Sequence, residues 1–154
     1  MADPIFVEPA VNDPLLTRVQ FGYDGFFYPQ GYRARLRSNS ALVLDAAKAS
    51  WSTHPLRDGH HPVEIRLAVS ESNSPSCIAS PEFRFRGHLL SIVADSENFV
   101  SIDLRAGFAF GWATLATARN QQCLRRYFLE PIIESLLRAR RTTTSHRSGC
   151  IQGT

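Results

Sequence analysis

Four stretches of this chain, residues 32–37, 63–70, 99–105 and 108–112, alternate side-chain character with a period of two, which restricts the fold to one built on a sheet. In the first, Tyr32, Ala34 and Leu36 share one face and Arg33, Arg35 and Arg37 the other. The aromatic run Phe21-Gly-Tyr-Asp-Gly-Phe-Phe-Tyr28 precedes it across the turn residues Pro29-Gln-Gly31, so the pair predicts a hairpin with one wet side. In the second, Ile65, Leu67 and Val69 point inward while Glu64 and Arg66 point out. Residues 83–94 predict one long strand, and the turn residues Asp95-Ser-Glu-Asn98 lead to a strand that buries Val100, Ile102 and Leu104. Phe108, Phe110 and Trp112 alternate with small residues, which predicts a strand; the latter half of residues 108–116 reads equally as the start of a helix.

Helical periods interrupt this pattern twice. Ser38-Asn-Ser40 offers capping side chains before Leu42, Val43, Ala46, Ala47 and Trp51, predicting a helix of about three turns to Ser50 or Trp51, with Trp51 as its anchor on the sheet. Thr117 or Asn120 can cap a longer helix, over about 119–139, in which Leu124, Phe128, Ile132 and Leu136 recur every four residues. Pro131 removes one backbone hydrogen bond inside it and predicts a bend near Tyr127. The expected fold is therefore α+β, a mostly antiparallel sheet of about five to six strands with two main helices packed on it. Residues 1–19, with three prolines, read as an irregular lead-in, 20–141 as the domain, and 142–154 as the start of a further strand.

At 154 residues, with 44% hydrophobic and 20% charged positions, the chain can bury a single core without disulfides or a structural metal. It has no apolar run near the ~20 residues of a membrane span and no leader pattern at its start, so a cytoplasmic location is expected. Cys77, Cys123 and Cys150 form no CxxC pair and fit a reducing compartment. His54, His60 and His61 share a loop with Asp58 but lack a metal-ligand spacing, and His88 reads as a half-buried histidine bonded to backbone. No GxSxG elbow, phosphate-binding GxxxxGK[ST] loop or GxGxxG junction occurs, and the single lysine, Lys48, sits in the first helix. Catalytic residues and cofactors are accordingly expected to be none.

Of the 17 basic residues, 16 are arginine. Arg33, Arg35 and Arg37 share a strand face, and Arg84, Arg86, Arg66 and Arg105 would extend it if their strands lay alongside, giving a basic stripe for phosphate or an acidic partner. The competing reading is a solvated face balanced by Glu64, Glu82 and Asp103. A net charge of +3 is mild, which disfavours nucleic acid as the partner.

An ordered set of blocks carries a resemblance. Phe27-Tyr-Pro-Gln-Gly-Tyr32, Arg37-Ser-Asn-Ser40, Pro62-Val-Glu-Ile-Arg-Leu67, His88-Leu-Leu-Ser-Ile-Val-Ala-Asp95, Glu97-Asn-Phe99, Asp103-Leu-Arg-Ala-Gly-Phe-Ala-Phe-Gly-Trp112 and Tyr127-Phe-Leu-Glu130 together resemble the N-terminal region of bacterial proteins related to HPr kinase/phosphorylase, over about residues 21–151. His146 and Cys150 look like the family's histidine and strand cysteine, although Thr142-Thr-Thr144 and Arg147-Ser-Gly149 depart from its small apolar pattern. The resemblance implies a non-catalytic docking, regulatory or assembly domain of an ATP-dependent serine kinase, with ATP and Mg²⁺ belonging only to a longer parent. It also implies a protein partner or the parent's own kinase domain, and leaves self-association open. The alternative from the residues alone is a free-standing binding module that uses the arginine face for a phosphorylated, acidic or nucleic-acid partner.

Overall fold

A computed structural model describes residues 19–54, 61–72, 74–75 and 80–147. They form one seven-stranded mixed sheet in the order β1-β2-β3-β7-β6-β5-β4. The strands are β1 (Tyr23–Phe27), β2 (Ala34–Ser38), β3 (Val63–Ser70), β4 (Glu82–Arg86), β5 (Leu89–Val93), β6 (Phe99–Asp103) and β7 (Phe108–Thr114). β1 and β2 make the expected antiparallel hairpin, and β4 to β7 form an antiparallel meander. The centre differs from a mostly antiparallel sheet, because β2, β3 and β7 run parallel to one another. Helix α1 (Ala41–Ser50) supplies the crossover that parallel β2 and β3 require, while β3 reaches β7 only after the chain has built the far half of the sheet.

The long strand expected over residues 83–94 is two strands. Gly87 takes φ 61° at the first position of a two-residue loop, and the chain turns back from Arg86 to Leu89. The second helical region is also divided, into α2 (Leu115–Arg119), α3 (Gln121–Leu124), a π-helical turn (Arg125–Leu129) and α4 (Glu130–Arg147). Thr114 caps α2 and Asn120 caps α3, each accepting from a backbone N–H in the first turn. The π turn ends at Leu129, two residues before Pro131, and contains the expected bend position Tyr127. The segment from residue 142, expected as a strand, continues α4 to Arg147; residues 148–154 lie outside the described residues, as do 1–18 of the expected lead-in.

All the helices pack on one face. Ala34, Leu36, Val63, Ile65, Leu67, Ala109, Val100, Ile102, Leu90 and Ile92 are buried there beneath Val43, Ala46 and Ala47 of α1 and Leu124, Phe128, Ile132 and Leu136 of the C-terminal helices. Trp51 meets Phe27 edge-on at 5.9 Å, fixing α1 to β1 as expected. Small residues let the helices approach β7, where Gly111 lies against Val100 and Phe99 of β6. Side chains continue the sheet where strands end. Asn39 accepts from the N–H of Val69 at 2.7 Å and donates to its carbonyl at 2.9 Å, and buried Ser38 donates to the carbonyl of Leu67. No helix among the described residues is long and apolar enough to cross a membrane.

Candidate functional site: the open face of the sheet

Because β-strand side chains alternate, burying Ala34, Leu36, Ile65, Leu67, Ala109 and Ala113 sends their neighbours to the other face, on which no described helix packs. Two rows of register partners cross this face. One runs Asp24, Arg37, Arg66, Phe110, Ser101, Ser91, Arg84; the other runs Phe26, Arg35, Glu64, Phe108, Asp103, Leu89, Arg86. Trp112 and Phe99, paired across β7 and β6, extend the aromatic part. Most of these central side chains are half-buried, and Phe26 is exposed.

The corner made by β1, β2 and β3 is an arginine cluster threaded with two carboxylates. Asp24 accepts a two-pronged interaction from Arg35, with Nη2 at 2.6 Å and Nε at 3.1 Å, and lies 3.8 Å from Nε of Arg37. Glu64 accepts from Arg66 at 2.7 Å and is 3.8 Å from Arg37. Arg33, just before β2, stacks over Phe26 at 4.2 Å, and Arg66 lies over Phe108 at 5.3 Å. No carboxylate among the described residues pairs with Arg33, so four arginines face two acids and the corner keeps a net positive charge. The hydrogen bond from Arg35 holds the Asp24 carboxyl below its ordinary pKa, consistent with a carboxylate that stays ionised inside this cluster.

The expected stripe is therefore split. Arg33, Arg35, Arg37 and Arg66 are neighbours, whereas Arg84 and Arg86 stand on β4 with four strands, β3, β7, β6 and β5, between them and β2. At ~4.8 Å per strand that separation is roughly 24 Å. Arg105 lies in the exposed turn after β6, and Arg84 is held by Glu82 of its own strand at 2.9 Å. The aromatic half of the face was not picked out from the sequence. Its signal is parity: Phe108, Phe110 and Trp112 share a face with Arg66 because Ala109 and Ala113 share one with Ile65 and Val69.

The other chemistry-bearing residues remain apart. His88 is at the exposed tip of the β4–β5 hairpin, outside either strand, with its ring 3.8 Å from Asp103, in place of the expected bond to backbone. The backbone N–H of Ala106 and then of Arg105 keep the Asp103 carboxyl below its usual pKa. Cys123 is buried in α3; Cys77, Cys150, Asp58 and His60 lie outside the described residues, and the side chain of His146 is likewise not described. Among the described residues no three His, Cys, Asp or Glu side chains gather where they could hold a metal ion. No family model, curated protein or solved structure matches this chain.

Proposed function

We propose that this chain is a binding domain, and that its working surface is the open face of the sheet, centred on Arg33, Arg35, Arg37 and Arg66 beside Phe108 and Phe110. The observation that carries this is the pairing of half-buried arginines with aromatic rings on a face where no described element packs. Arginine and aromatic residues are the types enriched where proteins dock, since each combines apolar area with directed polar contact. The ion pairs already present are partly exposed, about a third of each side chain being accessible, so each contributes at most ~1 kcal/mol and yields readily to a better acceptor. A phosphoryl or carboxylate group on a partner would take two-pronged bonds from Arg35 or Arg66 and cover Arg33 and Phe26. The partner is accordingly an acidic or phosphorylated protein segment. In the accessory-domain reading that the sequence blocks imply, this segment belongs to a kinase domain or its substrate.

A second reading has one specific observation behind it. Phe108 and Phe110 present rings 6.0 Å apart on a central strand, with Arg66 over one of them, an arrangement on which bases of a single strand can stack. Fluorescence anisotropy with a labelled acidic phosphoserine peptide and with a labelled single-stranded oligonucleotide separates the two. The docking reading expects the peptide to bind, with Kd raised about tenfold or more, ~1.4 kcal/mol, by Arg33→Ala, Arg35→Ala and Arg37→Ala combined. Binding of the oligonucleotide alone, falling steeply with salt and lost in Phe110→Ala, would favour the second reading.

A further inference from the structure

Among the described residues β4 ends the sheet and pairs only with β5, leaving one edge unpartnered. All five of its residues are exposed. Phe83 and Phe85 point to the helix side but lie beyond the helices' cover, at 47% and 69% exposure, and border a groove of about 470 Å³ against Pro131, Ser135 and Ala139 of α4. An edge carrying large apolar side chains is a template for another strand unless like charges repel the newcomer. Here the charges have both signs, Glu82 at one end, Arg86 at the other and Arg84, paired with Glu82, between them.

We propose that this edge binds a second copy of the chain, β4 pairing antiparallel with its counterpart about a twofold axis at Arg84. In that register Glu82 of each copy opposes Arg86 of the other at both ends of the seam, Phe83 opposes Phe85, and the two Arg84 side chains meet at the axis, each held by Glu82 of its own chain. The backbone agrees. The two-residue hairpin loop closes on the hydrogen-bonded pair Arg86 and Leu89, so Glu82, Arg84 and Arg86 bond toward β5, and Phe83 and Phe85 turn their N–H and C=O groups outward. Those are the residues that the axis makes partners. Within one chain Glu82 holds Arg84 at 2.9 Å, and no described carboxylate pairs with Arg86; the second copy supplies one. The axis stands perpendicular to the sheet, so both arginine faces look the same way and the dimer presents them together. This self-association does not depend on what those faces bind.

Sedimentation equilibrium of the full chain tests it. The expected mass is twice the 17.2 kDa of one chain. Glu82→Arg and Arg86→Glu each place like charges at both ends of the seam, and each weakens the dimer about tenfold or more while circular dichroism shows an unchanged fold. An equimolar mixture of these two variants restores association, because the pairs at both ends of the seam are again of opposite sign. A single-chain mass for the unaltered protein at about 100 μM would overturn the proposal, as would variants that dimerise like the unaltered chain or a mixture that fails to recover.

Discussion

Gly111 has no room for a side chain. A Cβ there would overlap the carbonyl oxygen of Phe99 and lie 2.8 Å from Cα of Val100, both backbone atoms that move only if β6 moves. Gly111→Ala should destabilise the fold by about 3 kcal/mol, measured as a shift in the urea midpoint. Asn98 is a polar counterpart, fully buried, accepting from the N–H of Thr114 at 2.9 Å and donating to Asp95. Asn98→Ala strands the Thr114 N–H in the core and should cost about 1–3 kcal/mol in the same measurement. Asp24 sets an acid limit. Its folded pKa lies below the ordinary 3.8, so its contribution to stability is present above that value and is lost as pH falls through the lowered one. Partial exposure keeps this below ~1 kcal/mol, and Asp24→Asn should flatten the stability curve below about pH 4, as thermal melts across acid pH will show. Nothing local ties Asp24 to its two arginines, which lie eleven and thirteen positions away and meet it only through the β1–β2 register.

Among the elements, the ones with a strong local signal were legible and the ones decided by neighbours were not. α1 runs from a Ser40 cap to Ser50, as the run of capping residues and the helical spacing required. β3 likewise spans the eight residues expected, burying Val63, Ile65, Leu67 and Val69, with Ala68 covered as well. β4 and β5 read as one strand because a single glycine inside an apolar run gives little hint of reversal; only its positive φ makes Gly87 a turn. The helices after β7 read as one element because their apolar spacing ignores the backbone, which changes to α2, α3 and a π turn before Pro131. Alternation alone does not say which side of β7 meets the helices. In β7 the small residues face the helices and the large aromatic ones face away, the reverse of a rule based on size, since close packing of helices on the central strands needs room. Where β2 ends, Asn39 replaces a strand residue by bonding both backbone groups of Val69. Asn39→Ala should cost about 1–2 kcal/mol and raise the amide exchange rate of Val69, seen by hydrogen exchange.

At the scale of the molecule, the sheet has more strands than its alternating segments announced and is mixed, because β7 inserts between β3 and β6. A parallel contact between β3 and β7 leaves no trace in local sequence, as the residues it joins lie forty-four positions apart. With that insertion the arginines of β2 and β3 come to lie beside the aromatic residues of β7, and those of β4 are carried to the far edge. The candidate site was thus half visible: the alternation of Arg33, Arg35 and Arg37 showed a basic face, and the long-range topology supplied the rings. A sheet with helices on one side and this surface on the other is built to be covered, so the account places binding on the face and none on the helices. The most direct measurement is a titration of the isotopically labelled chain with the acidic phosphoserine peptide, followed by backbone amide shifts. Saturable changes are expected at Arg35, Arg37, Arg66 and Phe110, abolished by replacing Arg33, Arg35 and Arg37. Shifts concentrated in α1 and α4, or undiminished in that variant, would contradict it.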